Sequence, residues 1–174
     1  VLIQMVVDPI CAIAFESEPG ERDLMARPPR LAAEPLLGVP QLLLGAMQGL
    51  LLLAGVIGLH IAAVAKGVAE DEARTLAFIA LTAGNFALVR INGARGAALP
   101  RLFEAGHRAY WIVMAVAGAI VATCVLWPTA AALFGFAPPG ASASAVAVVM
   151  GVMAAMLFEP LKRVAWVRKA LGGA

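Results

Sequence analysis

Val1-Leu-Ile-Gln4-Met-Val-Val-Asp8-Pro9-Ile-Cys11-Ala-Ile-Ala-Phe15, followed by Glu16-Ser-Glu18-Pro19-Gly-Glu21-Arg22-Asp23-Leu-Met-Ala-Arg27-Pro28-Pro29-Arg30, is the stretch on which the fold turns. An apolar run carries an amide and a carboxylate four residues apart, so both lie on one face of a helix. Pro9 follows the carboxylate directly; it has no N–H to donate and clashes with the carbonyl of Met5. A helix bent or unwound there offers Gln4, Asp8 and a freed carbonyl at one depth. Hard cations are bound by oxygens arranged in that way. In a soluble protein the same Asp-Pro would be a helix start with Asp8 as its cap. In a membrane the balance reverses, because an ionised group at mid-depth costs about 2.5–3.5 kcal/mol on insertion scales and marks an ion path.

Composition decides between these two settings. The chain has 174 residues, of which 62% are hydrophobic and 14% charged, with a mean hydropathy of +0.90. Soluble domains carry about 25% charged residues. The expected fold is therefore all-α, a polytopic bundle of five transmembrane helices in a lipid bilayer. The first apolar run ends at Phe15, directly before Glu16. That is shorter than a full span, which needs about twenty residues. The run also opens with Val and has no basic segment before it that would mark a signal peptide. The expectation is a chain cut within its first helix. Cys11 and Cys124 both fall in apolar runs and read as buried small residues, not as a disulfide or metal pair.

In chain order the expected spans are 1–15, truncated, then 36–64, 74–91, 109–126 and 145–158, with a continuation of the last past Glu159-Pro160 left open. A polar loop, 16–35, follows the first span and holds Pro19, Pro28, Pro29 and Pro35, which exclude a continuous helix. Its acids and arginines make it a water-facing docking surface or a plain connector. In the second span Gly45 and Gly49 form a GxxxG step, with Gly55 and Gly58 beyond, a spacing that admits a partner backbone. Gln48 and His60 read as interhelical hydrogen-bonding or interfacial groups. The segment from Ala65 to Ala73, with Glu70, Asp71 and Glu72, is expected to be a loop. Asn85 in the third span is either a helix–helix hydrogen-bonding group or a cation-coordinating oxygen. Tyr110-Trp111 and Trp127 lie about 24 Å apart along the fourth span at about 1.5 Å per residue, an aromatic belt at both interfaces. Pro138-Pro139-Gly140 marks the turn before the last span.

Of the 13 Lys and Arg residues only Lys66 and Arg74 fall on one side of this topology; the rest fall on the side of the 16–35 loop, the 92–108 loop and the tail. The positive-inside rule makes that second side, and the C-terminus, cytoplasmic.

The first thirty residues resemble the sixth transmembrane helix and following loop of P-type cation-transporting ATPases, in their calcium-pump-like branch. The likeness lies in Asp8-Pro9 within the apolar run, in Phe15-Glu16-Ser17-Glu18-Pro19, and above all in Asp23-Leu-Met-Ala-Arg27-Pro28-Pro29-Arg30, which is similar to the family's Asp-x-Met-x-Arg-Pro-Pro-Arg motif. Arg74-Thr75-Leu76-Ala77-Phe78 through Gly84-Asn85, and Leu157-Phe158-Glu159 with Lys162, are also similar. The resemblance covers residues 1–174 and implies helices six to ten of a ten-helix pump, the C-terminal transmembrane domain.

The resemblance implies Asp8 as the central ion-binding carboxylate, with Gln4 and Asn85 as further metal-site residues. Gln4 stands where calcium pumps carry Asn and many bacterial relatives Glu; Asn85 stands where two-site calcium pumps have Glu; Val7 replaces a common Thr. These departures leave one oxygen-rich site and count against a second. They also open the identity of the transported cation, with calcium favoured. The 16–30 loop would meet the phosphorylation domain. An empty Asp8 would take up a proton or pair elsewhere, and proton counter-transport is the expectation in the first case.

Neither an Asp-Lys-Thr-Gly-Thr phosphorylation motif nor a G-x-x-x-x-G-K-[ST] loop occurs in the chain, so it is not expected to hydrolyse ATP alone. The implied partner is the N-terminal half of the pump, transmembrane helices one to five with the cytoplasmic domains, which would bring ATP and magnesium. No nucleic-acid partner is implied. A bacterial plasma membrane is the expected location. The alternative is a non-enzymatic scaffold or accessory subunit reusing this half-domain. A small secondary transporter would show an inverted repeat, and the halves show none.

Overall fold

The computed structural model describes residues 39–93 and 108–157, and Ala12 besides. The described residues are helices and their connections: α1 (Val39–Ala65), α2 (Glu70–Gly93), α3 (Arg108–Leu126), α4 (Pro128–Phe134) and α5 (Ala141–Met156). Two stretches are long and apolar enough to cross a membrane, Leu42–Ala65 within α1 and Glu70–Asn92 within α2. The expected first span, 1–15, and loop, 16–35, lie outside the described residues.

Local chemistry sets the ends of these helices. At the end of α1 the Gly67 backbone has φ 80 degrees. Glycine adopts this left-handed conformation without a Cβ clash. The Val68 N–H donates to the Ala63 carbonyl at 3.1 Å and the Gly67 N–H to the Val64 carbonyl at 2.9 Å. These are the paired bonds of a Schellman stop. Val68 then packs on the cluster that contains Ala63, adding the apolar contact typical of that stop.

Helix α2 begins at Glu70, not at about Arg74 as expected from hydropathy. Glu70, Asp71 and Glu72 form its first turn, where negative charge is favoured by the exposed N–H groups and the helix dipole. The charges that look like a loop in a hydropathy reading are the start of a helix.

Pro128 decides the shape of the next segment. It ends α3 by pushing Trp127 into extended backbone, φ −81° and ψ 117°. A proline disfavours helical backbone in the residue before it and suits the first turn of the helix it opens, here α4. The chain bends by 85° between α3 and α4. Hydropathy gives no sign of α4. This helix closes with the same kind of stop as α1, on Gly135 at φ 62 degrees. There the Phe136 N–H donates to the Ala131 carbonyl at 2.8 Å, and the Gly135 N–H to the Ala132 carbonyl at 3.2 Å. Helix α5 begins at Ala141, earlier than the expected 145, and runs for 16 residues. That is shorter than a full crossing. Residues after Leu157 lie outside the described set.

Helix α2 is central, packed against α5 and α1. Leu52 and Val56 of α1, Leu76 and Ala80 of α2 and Ala147 of α5 belong to one buried cluster. The tightest approach is made by glycine. A Cβ on Gly151 would collide with the backbone carbonyl of Ala80. One on Gly84 would strike the Leu52 side chain and stand 3.1 Å from the Gly151 carbonyl oxygen. With no hydrophobic drive between helices in lipid, close backbone approach of this kind supplies the packing energy.

The expected packing step at Gly45 and Gly49 finds no partner among the described residues. Among the described residues nothing lies within 4 Å of a Cβ at Gly45, Gly49 or Gly58; of that series only Gly55 meets a neighbour, Ala154 Cβ at 3.3 Å. The helix turns this stripe outward because Leu44, Gln48, Leu52 and Val56, on another face, are the buried set.

Candidate functional site

Three residues carry the expected cation chemistry: Asp8, Gln4 and Asn85. Asp8 and Gln4 lie outside the described residues. Asn85 is in α2, half-buried, directly after the Gly84 that packs against α1 and α5. Its neighbour one turn earlier, Thr82, is buried and donates its hydroxyl proton to the Phe78 carbonyl at 2.8 Å, within its own helix. Among the described residues, no group of three or more His, Cys, Asp or Glu converges where a metal ion could be held. Of the three candidates the described bundle thus places Asn85 alone, half-buried on α2.

A polar contact ties α1 to α2. Gln48, 4% exposed, donates from Nε2 to Asn92 Oδ1 at 3.0 Å and accepts at Oε1 from Asn92 Nδ2 at 3.0 Å. Each amide satisfies the other, which matters because an unpaired amide in a low-dielectric interior is costly. Gln48 is therefore an interhelical hydrogen-bonding group, as its place in an apolar span suggests. Asn92 escapes the sequence reading. Hydropathy ends the span at Ile91, whereas the helix continues to Gly93. Two turns of helix separate Asn92 from Asn85, so both amides lie on one side of α2.

At the other end of α2 a second set of contacts holds the α4–α5 connection. Thr75, fully buried, donates to the Asp71 carbonyl at 2.9 Å and accepts from the Ala137 N–H at 3.1 Å. Arg74 Nη1 donates to the Gly135 carbonyl at 3.1 Å, and Arg74 Nη2 pairs with Glu70 at 3.4 Å. The Phe78 and Phe136 rings meet at 4.9 Å between centroids. The bend after α3 is thus fastened to the first turns of α2. Of the aromatic belt, Trp127 is exposed at that bend, and Trp111 is exposed at the opposite end of α3.

Comparison with known proteins gives one finding. The family model described as cation transporting ATPase, C-terminus, matches residues 1–164. No curated protein matches the chain. The chain belongs to this family and is the membrane part of a cation-transporting ATPase.

Proposed function

We propose that this chain is the cation-binding C-terminal half of the membrane domain of a P-type pump of the calcium-pump-like branch, corresponding to helices six to ten. The family match across residues 1–164 supports the coarser part, the membrane region of a cation-transporting ATPase, and the likeness of residues 1–30 supports the branch and the helix numbering. Asp8-Pro9 supplies its chemistry: a carboxylate in an apolar run beside a residue that interrupts helix hydrogen bonding. In the proposed site Asp8 is the charged ligand, with Gln4 and Asn85 as neutral oxygen donors. Calcium is the favoured cargo, since carboxylate and amide oxygens suit a hard cation.

Phosphorylation by ATP with magnesium, on cytoplasmic domains joined to this half, would drive alternate opening of the site. The 16–30 loop is the proposed contact with the phosphorylation domain. The excess of Lys and Arg on the side of the loops and tail supports a cytoplasmic C-terminus. A bacterial plasma membrane is the proposed location.

A cation panel tests the cargo. In the full pump, this chain joined to its N-terminal half, ATPase activity should rise with calcium and saturate, and Asn85→Ala should raise the calcium concentration needed. Stimulation by another cation, with none by calcium, would overturn calcium as the cargo. Activity indifferent to every cation would favour the scaffold alternative.

A further inference from the structure

Between them, α2, α3 and α5 enclose a cleft of 550 Å³. That is within the range of small-molecule sites. It exists because α3 meets α2 only locally, through Phe86 and Ala117 with Val113 and Met114 beside them. Its walls are apolar, with residues such as Ile79, Phe86, Val121 and Val148. Two hydroxyls reach the lining, and each donates to its own helix backbone: Thr82 to the Phe78 carbonyl and Ser144 to the Gly140 carbonyl. Among the described residues the charge in the lining is Arg90, in the last turn of α2 and 6% exposed. Trp111, near the start of α3, lines the same end.

We infer that this cleft holds one phospholipid with an anionic headgroup, its phosphate at Arg90 and Trp111 and an acyl chain running along α2 toward Ile79. Two observations and one general rule carry it. The lining from Ile91 to Ile79 is about 18 Å long at about 1.5 Å per residue. One leaflet's share of a hydrocarbon core about 30 Å thick is about 15 Å, so the cleft matches a single chain. Charge and polarity are segregated along that length, cation and indole at one end and hydrocarbon beyond, the polarity of a lipid molecule. Basic pockets between membrane helices on the cytoplasmic side recognise anionic headgroups. Arg90 has a contact of its own within the protein. A guanidinium carries several N–H donors, so a phosphate can share it. The choice of the cytoplasmic leaflet rests on the orientation proposed above; the binding itself does not.

The test is lipid retention by the purified protein, which needs no transport or ATP hydrolysis and so fails or succeeds apart from the pump reading. The protein is reconstituted in phosphatidylcholine bilayers containing phosphatidylglycerol, extracted in detergent, and weighed intact by native mass spectrometry. The wild type should keep one phosphatidylglycerol with about tenfold preference over phosphatidylcholine, about 1.4 kcal/mol. Arg90→Gln should abolish the preference. Gly118→Leu keeps the cation and fills the cleft from a position with open space around its Cβ, so it should reduce retention of both lipids. Equal retention of the two lipids by the wild type, or phosphatidylglycerol retained by Gly118→Leu as fully as by the wild type, would overturn the inference. Displacement by inorganic phosphate alone would overturn it too, since it would show a site for the anion and not for the lipid.

Discussion

Helix α2 has two contrasting neighbours. Against α5 it packs backbone to backbone, with Gly151 on the Ala80 carbonyl and Gly84 beside the Gly151 carbonyl; against α3 it leaves a cleft bridged at Phe86 and Ala117. The difference teaches where the bundle is rigid and where lipid can enter. A seam without side chains at its closest points cannot open by a little, because its contacts are fixed backbone atoms. A contact made by a few side-chain tips can. Asn85, half-buried, follows in the chain directly after Gly84, the glycine on which α1 and α5 close.

The largest effect should come from filling the seam. Ala80 presents backbone to Gly151 and not a movable side chain. Gly151→Leu is therefore expected to cost about 3 kcal/mol or more, the upper end for overpacking. Thermal unfolding of the purified protein reads it. A variant as stable as the wild type would break the contrast between the two neighbours.

A smaller loss is expected at the amide pair formed by Gln48 and Asn92. Gln48→Leu or Asn92→Leu should each cost about 1 kcal/mol, in the range measured for hydrogen bonds between membrane helices. The double variant should lose less than the sum of the two, since either single change strands the partner amide. Strict additivity in a double-mutant cycle would show that the pair does not act as a clamp.

The smallest effect is expected on the outward stripe, where a Cβ at Gly45 or Gly49 meets open space. Gly45→Leu and Gly49→Leu should change stability by about 0.5 kcal/mol at most, as for surface positions away from packed contacts. A loss comparable with that of Gly151→Leu would sharpen the comparison differently, by placing another helix of the pump on this face of α1.

The glycines show how far sequence can be read. Gly45 and Gly49 have the spacing of a packing motif, whereas Gly84 and Gly151 lie far apart in the chain and have no spacing to notice. Spacing says which residues share a face; it does not say which face is covered, and that depends on a neighbour elsewhere in the sequence. The apolar character of α1 and α2, and the role of Gln48, follow from composition and the cost of a lone amide in lipid. The start of α2 and the existence of α4 are hidden for a local reason. Hydropathy marks both Glu70–Glu72 and the Trp127-Pro128 step as interruptions, while backbone chemistry makes each the beginning of a helix. Of the candidate cation site, Asp8-Pro9 is legible as chemistry, and Asn85 as a polar group in an apolar span with two uses open to it. Choosing between those uses needs the oxygens that surround it, which come from other helices.

The most direct test of the account is cation-dependent phosphorylation by ATP in the full pump, this chain joined to its N-terminal half, measured on the wild type and on Asp8→Asn. The account predicts a phosphorylated intermediate in the wild type whose formation requires the transported cation. In Asp8→Asn that requirement should fail, with the variant inserting in the membrane and eluting as the wild type does. An Asp8→Asn protein phosphorylated with the wild-type cation dependence would contradict the assignment of Asp8 as the ligand on which transport depends.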